Sequence, residues 1–164
     1  MPEPTPTGVP GTTLPRPGRP PLWARRRVEV HDESMRPTLH PGDRLLVDRQ
    51  AFRNRSPRVG EIVVVVDPES PARWLVKRVR AVGPGTFWRT SEGLVPVGKP
   101  TLITDPAHPP DAVEMVALGP GAIWVQGDAP DVSRDSRRFG PVRPAGVVGK
   151  VFRCYAPPAR RRDF

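Results

Sequence analysis

Hydrophobic residues along this chain recur mostly at every second position, in short runs separated by Gly and Pro. This alternation is typical of half-buried strands, and no segment keeps the 3.6-residue spacing of an amphipathic helix. The pattern predicts eight strands, near residues 27–31, 43–49, 61–66, 73–82, 86–90, 112–117, 121–126 and 146–153. Turn signals such as Pro41-Gly42 and Gly119-Pro120-Gly121 lie between them. We therefore expect an all-β domain, either a barrel or a sandwich.

Proline is unevenly distributed in the 164 residues. The chain has 25 prolines and 15 glycines, and the prolines are most frequent at its beginning. Residues 1–24 have too little apolar surface to compensate for ordering the chain, so they are predicted to be a disordered tail. The remainder divides into a domain over residues 25–157 and a basic C-terminal tail over residues 158–164.

The charge and the metal-ligating residues restrict the function. The formal net charge is +9, which favours anionic partners. However, the cations are spread along the chain without a recognition helix, which disfavours nucleic acid. The single cysteine, Cys154, excludes an internal disulfide, and no HExxH motif is present, so we expect neither a metal nor a cofactor.

No apolar run is long enough to cross a bilayer. The longest, Ile62–Val66, has the length of a strand. We expect no transmembrane segment in this sequence. The pattern leaves open whether the protein is cytoplasmic or lies against a membrane surface.

One strand places a lysine among apolar residues. In an extended chain Leu75, Lys77, Val79 and Ala81 share a face, whereas the neighbouring arginines point to the other side. Burial of the ammonium group lowers the pKa of a lysine and leaves a neutral amine that can act as a base. The alternative is that the stem packs and the charged end reaches water.

Two polar loops supply further candidates. Ser34 precedes Pro37 and Pro41, which exclude a helix, and an irregular loop can present a serine hydroxyl beside free backbone N–H groups. The segment that begins at Gly127 and contains Ser133 has hydroxyl and charged side chains that could orient a lysine. Ser-Lys pairs are a known variant of the serine-histidine-aspartate arrangement.

Taken together, the motifs resemble those of type I signal peptidases, which are Ser-Lys endopeptidases related in fold to the LexA-type self-cleaving repressors. Their order is Ser34-Met35-x-Pro37-Thr38-Leu39, Gly60-Glu61-Ile62-Val63-Val64, Lys77-Arg78-Val79, Gly127-Asp128 and Ser133-x-Asp135-Ser136-Arg137. The resemblance covers roughly residues 28–157. It implies a fold of antiparallel sheets with a small barrel-like core.

The resemblance also implies a role for each matching residue. Ser34 is the nucleophile, Lys77 is the general base and Ser133 hydrogen-bonds the lysine. Asp135 and Arg137 form a salt bridge that shapes the site. Substrates would be precursor proteins with small residues one and three positions before the cut, at the end of an N-terminal leader.

Two positions near these motifs depart from the family pattern. Asp32 stands where family members often have Ser or Gly, and a Ser there can donate a hydrogen bond to the oxyanion. An ionised carboxylate cannot donate, so we expect Asp32 to turn away from the site. The usual Asn after Gly-Asp is replaced by Ala129.

The family's usual membrane anchor ahead of the nucleophile is replaced here by the Pro-rich tail, and this leaves three interpretations. One is a peripheral signal peptidase held at an anionic membrane surface by Met35, Leu39, Trp23 and nearby arginines. Another resembles the soluble peptidases that trim the N-terminal extension of nickel-containing superoxide dismutase. The third is an inactive member that serves as a binding module.

Overall fold

The computed structural model describes residues 20–91, 93–97 and 114–164. The predicted tail over residues 1–24 lies mostly outside the described residues, as do the first two residues of the strand expected at 112–117. Within the described ranges, no helix has the length and apolar character that a membrane span requires.

The described residues form ten strands and only short helices. The strands are β1 (Arg25–Glu29), β2 (Arg44–Asp48), β3 (Ile62–Asp67), β4 (Ser70–Val82), β5 (Gly85–Arg89), β6 (Leu94–Pro96), β7 (Glu114–Leu118), β8 (Ile123–Gln126), β9 (Val147–Ala156) and β10 (Arg162–Asp163). A single α-helical turn, α1 (Ser136–Phe139), and four 3₁₀ turns make up the described helical structure. The prediction of an all-β fold is confirmed, and each of the eight expected strands has a counterpart.

The strands form two antiparallel sheets. The larger has the order β1-β2-β9-β3-β4-β8, with β10 added to β9, and the smaller has the order β6-β5-β7. Strands β1 and β8 are the ends of the longer path and do not pair with each other, so this sheet is open. The antiparallel arrangement is confirmed, and among the described strands no barrel closes.

Strand β3 is buried on both faces and divides the core into two clusters. Ile62 and Val64 pack with the β1, β2 and β9 side chains, whereas Val63 and Val65 pack with β4 and β8. This double burial explains why the sequence of β3 is a continuous apolar run rather than an alternating one. A third cluster around Trp124 connects β8 to the smaller sheet.

Residues 158–164 continue the fold along β9. Pro158–Arg160 form a 3₁₀ turn, Arg162 pairs with Cys154 in the sheet and Phe164 packs against the first core cluster. The Arg160 side chain donates to the buried Asp43 carboxylate over 2.5 Å. These contacts fix the base of the loop that joins β1 to β2.

Candidate active site

Strand β4 directs Lys77 into the interior. Leu75, Lys77, Val79 and Ala81 are all buried, and Lys77 is only 1% exposed. Lys77 lies opposite Val63 of β3, whose side chain belongs to the core cluster that also contains Leu75 and Val79. The prediction that Lys77 lies on an apolar face is confirmed, and the alternative that its end reaches water is excluded.

The loop after β1 places the Ser34 side chain beside the amine of Lys77. The turn over residues 34–38 is closed by a hydrogen bond from Leu39 N–H to Met35 O of 2.8 Å. Met35 and Leu39 insert into the first core cluster, which fixes the loop from below. Ser34 is therefore buried, and its Oγ lies 2.5 Å from Lys77 Nζ.

The burial of Met35 and Leu39 corrects one expectation. The interpretation as a peripheral signal peptidase placed both residues against a bilayer, but they are 1% and 0% exposed. The loop folds back on the domain because its two large apolar side chains fill the core beside β2 and β9. They cannot reach a membrane while the loop keeps this conformation.

Burial determines the protonation of Lys77. It lowers the pKa of the ammonium group below the ordinary value of 10.5, while the Asp32 and Asp135 carboxylates partly oppose this effect. The guanidinium groups of Arg73 and Arg137 lower the pKa further. The site therefore favours a neutral amine beside the Ser34 hydroxyl, which is what proton abstraction from that hydroxyl requires.

Asp135 connects the residues of the segment 127–137 through hydrogen bonds. Its fully buried carboxylate accepts hydrogen bonds from Arg137 Nε and Nη2 at 3.0 and 2.9 Å, and from Gly127 N–H at 3.0 Å. It also caps α1 by accepting from Arg137 N–H. Burial by itself would raise the pKa of Asp135, but the hydrogen bonds from Arg137, Ser133 and Gly127 lower it below its ordinary value. The carboxylate is ionised and paired with Arg137.

Ser133 is hydrogen-bonded to the same backbone group as Asp135. Its Oγ accepts from Gly127 N–H at 3.1 Å. One lone pair of this oxygen remains for a lysine N–H. The hydrogen bond from Lys77 to Ser133 that the family resemblance implies stays a prediction.

Gly127 is required by a close approach that the sequence did not indicate. A Cβ at this position would lie 2.3 Å from both the Ser34 carbonyl oxygen and Ser133 Oγ. The next residues complete the contact, because Ala129 N–H donates to Ser34 O at 2.9 Å. The backbone of the loop that carries Ser34 thus contacts the backbone of residues 127–129 directly.

A second ion pair, which the sequence analysis did not predict, contacts the loop that carries Ser34 through Thr38. Arg78, next to Lys77 but on the opposite face of β4, donates to both oxygens of Asp128 at 2.8 and 2.6 Å and to Thr38 Oγ1 at 3.2 Å. Burial would raise the pKa of Asp128, but hydrogen bonds from Arg78 and Thr38 lower it. The sequence did contain an indication of this pair. Arg78 and Asp128 carry opposite charges, both lie within the family motifs, and neither had an assigned partner.

Asp32 faces Ser34, which contradicts the expectation that it turns away. Its Oδ1 accepts the Ser34 backbone N–H at 3.0 Å. An Asp whose side chain accepts the N–H two residues later forms an Asx turn, and this local bond outweighs the expected repulsion. Burial would raise the pKa of Asp32, but the Ser34 hydrogen bonds and the charges of Lys77 and Arg73 lower it, so the carboxylate is ionised.

A cleft of about 420 Å³ reaches the loop that carries Ser34. It lies between β1 and the first half of β4, and Asp32, Met35 and Arg73 are among its lining residues. Arg26 crosses from β1 to stack on the Trp74 ring, 4.9 Å from its centroid. No group of three His, Cys, Asp or Glu side chains able to hold a metal occurs in the described part of the chain.

Comparison with known proteins agrees with this geometry. The family model described as "Signal peptidase, peptidase S26" matches residues 22–156. The chain is 36% identical over 123 residues to mitochondrial ATP-independent inner membrane protease subunit 1b of Arabidopsis thaliana, covering 74% of this chain and 64% of that protein. It is 31% identical to signal peptidase I of Mycobacterium tuberculosis over an alignment of 197 positions, covering 84% and 67%. The chain therefore spans about two thirds of the length of these relatives. Since the family model covers most of the chain and includes every residue of the site described above, the chain belongs to the signal peptidase family, peptidase S26.

Proposed function

We propose that the protein is a serine endopeptidase in which Ser34 is the nucleophile and Lys77 is the general base. The contact of 2.5 Å between Lys77 Nζ and Ser34 Oγ, inside an apolar environment, is the observation that carries this proposal. A buried amine is neutral near physiological pH more readily than an exposed one, and arginine could not serve in its place.

The mechanism follows from the two groups. Neutral Lys77 takes the proton of the Ser34 hydroxyl while Oγ attacks the carbonyl carbon of the scissile bond. The resulting oxyanion is stabilised by the Ser34 backbone N–H. The Lys77 ammonium then gives its proton to the leaving amine, and an acyl-enzyme remains. A water molecule that loses its proton to Lys77 attacks the ester carbonyl. As the bond to the Ser34 oxygen breaks, the Lys77 ammonium returns this proton to that oxygen, which releases the acid and restores the Ser34 hydroxyl and the neutral amine.

The surrounding residues hold this pair in place. Asp135, with Arg137 and Ser133, fixes the segment that packs on the Ser34 carbonyl. By analogy with the signal peptidases and inner membrane proteases to which the chain is similar, we take the substrates to be precursor proteins with an N-terminal leader. Small side chains one and three residues before the cut complete the proposed specificity.

We assign the peptidase domain to residues 25–157.

We also propose a peripheral contact with anionic lipid. Leu22 and Trp23 are 80% and 71% exposed and shortly precede the cations of Arg25–Arg27. Trp and Arg side chains in sequence are suited to the interface between lipid headgroups and acyl chains.

A cleavage assay tests the enzymatic proposal. Purified full-length protein is incubated with precursor proteins whose leaders end in Ala-x-Ala, and product N-termini are determined by mass spectrometry. Cleavage should be lost in Ser34→Ala and in Lys77→Arg, and it should persist in Lys150→Arg, which alters another lysine of the sheet. Because the neutral amine is the active form, the wild-type rate should rise with pH through a lysine pKa below 10.5. Cleavage by Lys77→Arg at the wild-type rate would contradict the assignment of the base.

A further inference from the structure

The Asp32 carboxylate occupies the backbone hydrogen-bond donor of the proposed nucleophile. Its Oδ1 accepts the Ser34 backbone N–H at 3.0 Å. Acyl transfer needs this donor for another partner, because the N–H must stabilise the oxyanion.

A substrate oxyanion cannot share the Ser34 N–H with the Asp32 carboxylate. The oxyanion would have to lie within about 3 Å of the Ser34 N–H, where Asp32 Oδ1 now lies. The oxyanion and Asp32 Oδ1 would compete for the same position beside this N–H. Both oxygens are negative, so they repel each other, and neither can donate a hydrogen bond to the other. The arrangement in the structure is therefore a resting state, and Asp32 must move before the reaction.

The surroundings of Asp32 allow this movement. Asp32 is exposed, so it can rotate without disturbing the core. It lines the cleft together with Arg73, whose guanidinium has no hydrogen bond or ion pair with any of the residues described. The same cleft is also lined by Arg26, Arg27 and Glu29 of β1 and by His31. Lys77 on β4 acts on the Asp32 charge, and Glu33 follows Asp32 in the loop.

We propose that Asp32 is a latch on the Ser34 N–H, and that a substrate entering the cleft displaces it onto Arg73. This inference rests on the proposed peptidase function and adds a regulatory step to the same site. The latch keeps the serine unreactive in the empty enzyme. Arg73 then holds the carboxylate away from the oxyanion while the peptide is bound.

The first test compares Asp32→Asn with the matched control Glu33→Gln. Asparagine keeps the size of the side chain, removes its charge and provides an amide donor for the oxyanion. Because one oxyanion donor is worth ~10²–10³ in kcat, we expect kcat/KM for a leader peptide to rise about tenfold or more. Glu33 is exposed and pairs with Arg36, so its substitution should leave kcat/KM unchanged.

The second test measures the coupling between Asp32 and Arg73. Arg73→Ala should lower kcat/KM in the wild-type background, because the displaced carboxylate loses its partner. In the Asp32→Ala background the same substitution should lower kcat/KM clearly less, because only the influence of Arg73 on the Lys77 pKa remains. Equal effects of Arg73→Ala in both backgrounds, or an Asp32→Asn enzyme no faster than wild type, would overturn the latch.

A peptide boronic acid ending in Ala separates this inference from the proposed function. Its boron forms a tetrahedral adduct with the Ser34 oxygen and places a negative oxygen at the Ser34 N–H. Tighter boronate binding by Asp32→Asn, in a protein that cleaves no leader, would support the latch and reject the leader-peptidase proposal. If leader cleavage occurs and the boronate binds wild type and Asp32→Asn equally, only the latch is rejected. Failure of every variant to form an adduct would count against both.

Discussion

Replacing Lys77 by methionine should inactivate the enzyme and stabilise the fold. Lys77 is 1% exposed, and among the described residues its Nζ hydrogen-bonds only Ser34 Oγ. A buried donor without an acceptor costs about 1–3 kcal/mol. Substituting an apolar side chain of similar length removes this cost, and a flexible methionine fits an irregular space. The hydrogen bond lost with Ser34 offsets about 0.5–1.5 kcal/mol of this gain, so we expect the free energy of unfolding near pH 7 to rise by roughly 0.5–1.5 kcal/mol.

The gain should depend on pH in a defined direction. The pKa of Lys77 is lowered in the folded chain, so between that value and 10.5 the unfolded chain binds more protons and wild-type stability increases with pH. A methionine side chain does not titrate, so the variant lacks this dependence. The advantage of Lys77→Met should therefore be largest below the folded pKa and should shrink as pH approaches 10.5.

Urea unfolding of both proteins at several pH values between 6 and 10 measures this difference. Lys150→Met is the matched control, since Lys150 pairs with Glu61 at 3.2 Å and its side chain is 20% exposed. That pair is worth about 0–1 kcal/mol, so the control should be neutral or slightly less stable. A Lys77→Met protein less stable than wild type, or a gain independent of pH, would refute the argument that Lys77 is buried at a cost.

Substitutions at Ser133 and at Asp135 have different expected effects. Ser133→Ala removes one hydrogen-bonding group while leaving Lys77 and Ser34 in place, so kcat should fall about five- to tenfold, a smaller loss than in Lys77→Arg, in a steady-state leader-cleavage assay. Asp135→Asn leaves the Arg137 cation without its buried partner and should lower the free energy of urea unfolding by about 3 kcal/mol, near the low end for broken buried pairs because Arg137 is 23% exposed. Wild-type turnover in the first variant, or wild-type stability in the second, would contradict these roles.

The strands could be predicted because their signal is local. Alternation along β4 identified the face that carries Lys77, and the apolar run Ile62–Val66 identified β3 as a strand. That β3 is buried on both faces is known only from the structure. Strands β6 and β10 have three and two residues, and so short a segment has no period to detect. Their existence depends on pairing with β5 and β9.

The site could be predicted only in part, because its contacts join distant segments. Ser34 and Lys77 are 43 positions apart, and their proximity was suggested by family resemblance rather than by any local pattern. The orientation of Asp32 was wrong because an Asx turn with Ser34 N–H was not weighed against repulsion of a future oxyanion. The need for a glycine at position 127 follows from its distance to the Ser34 carbonyl, which only the folded chain reveals.

The register of β4 determines the chemistry of the site. Lys77 and Arg78 are neighbours, so they point to opposite faces, and pairing with Val63 and Gln126 fixes which one is inside. A slip of one residue would exchange them and bury Arg78 beside Ser34. A guanidinium cannot lose its proton under physiological conditions, so this register would place a permanent unpaired charge in the core and remove the base. The same slip would also separate Asp128 from its partner Arg78. Stability and reactivity therefore favour the same register, because only lysine, of the two basic residues, can be neutralised by burial.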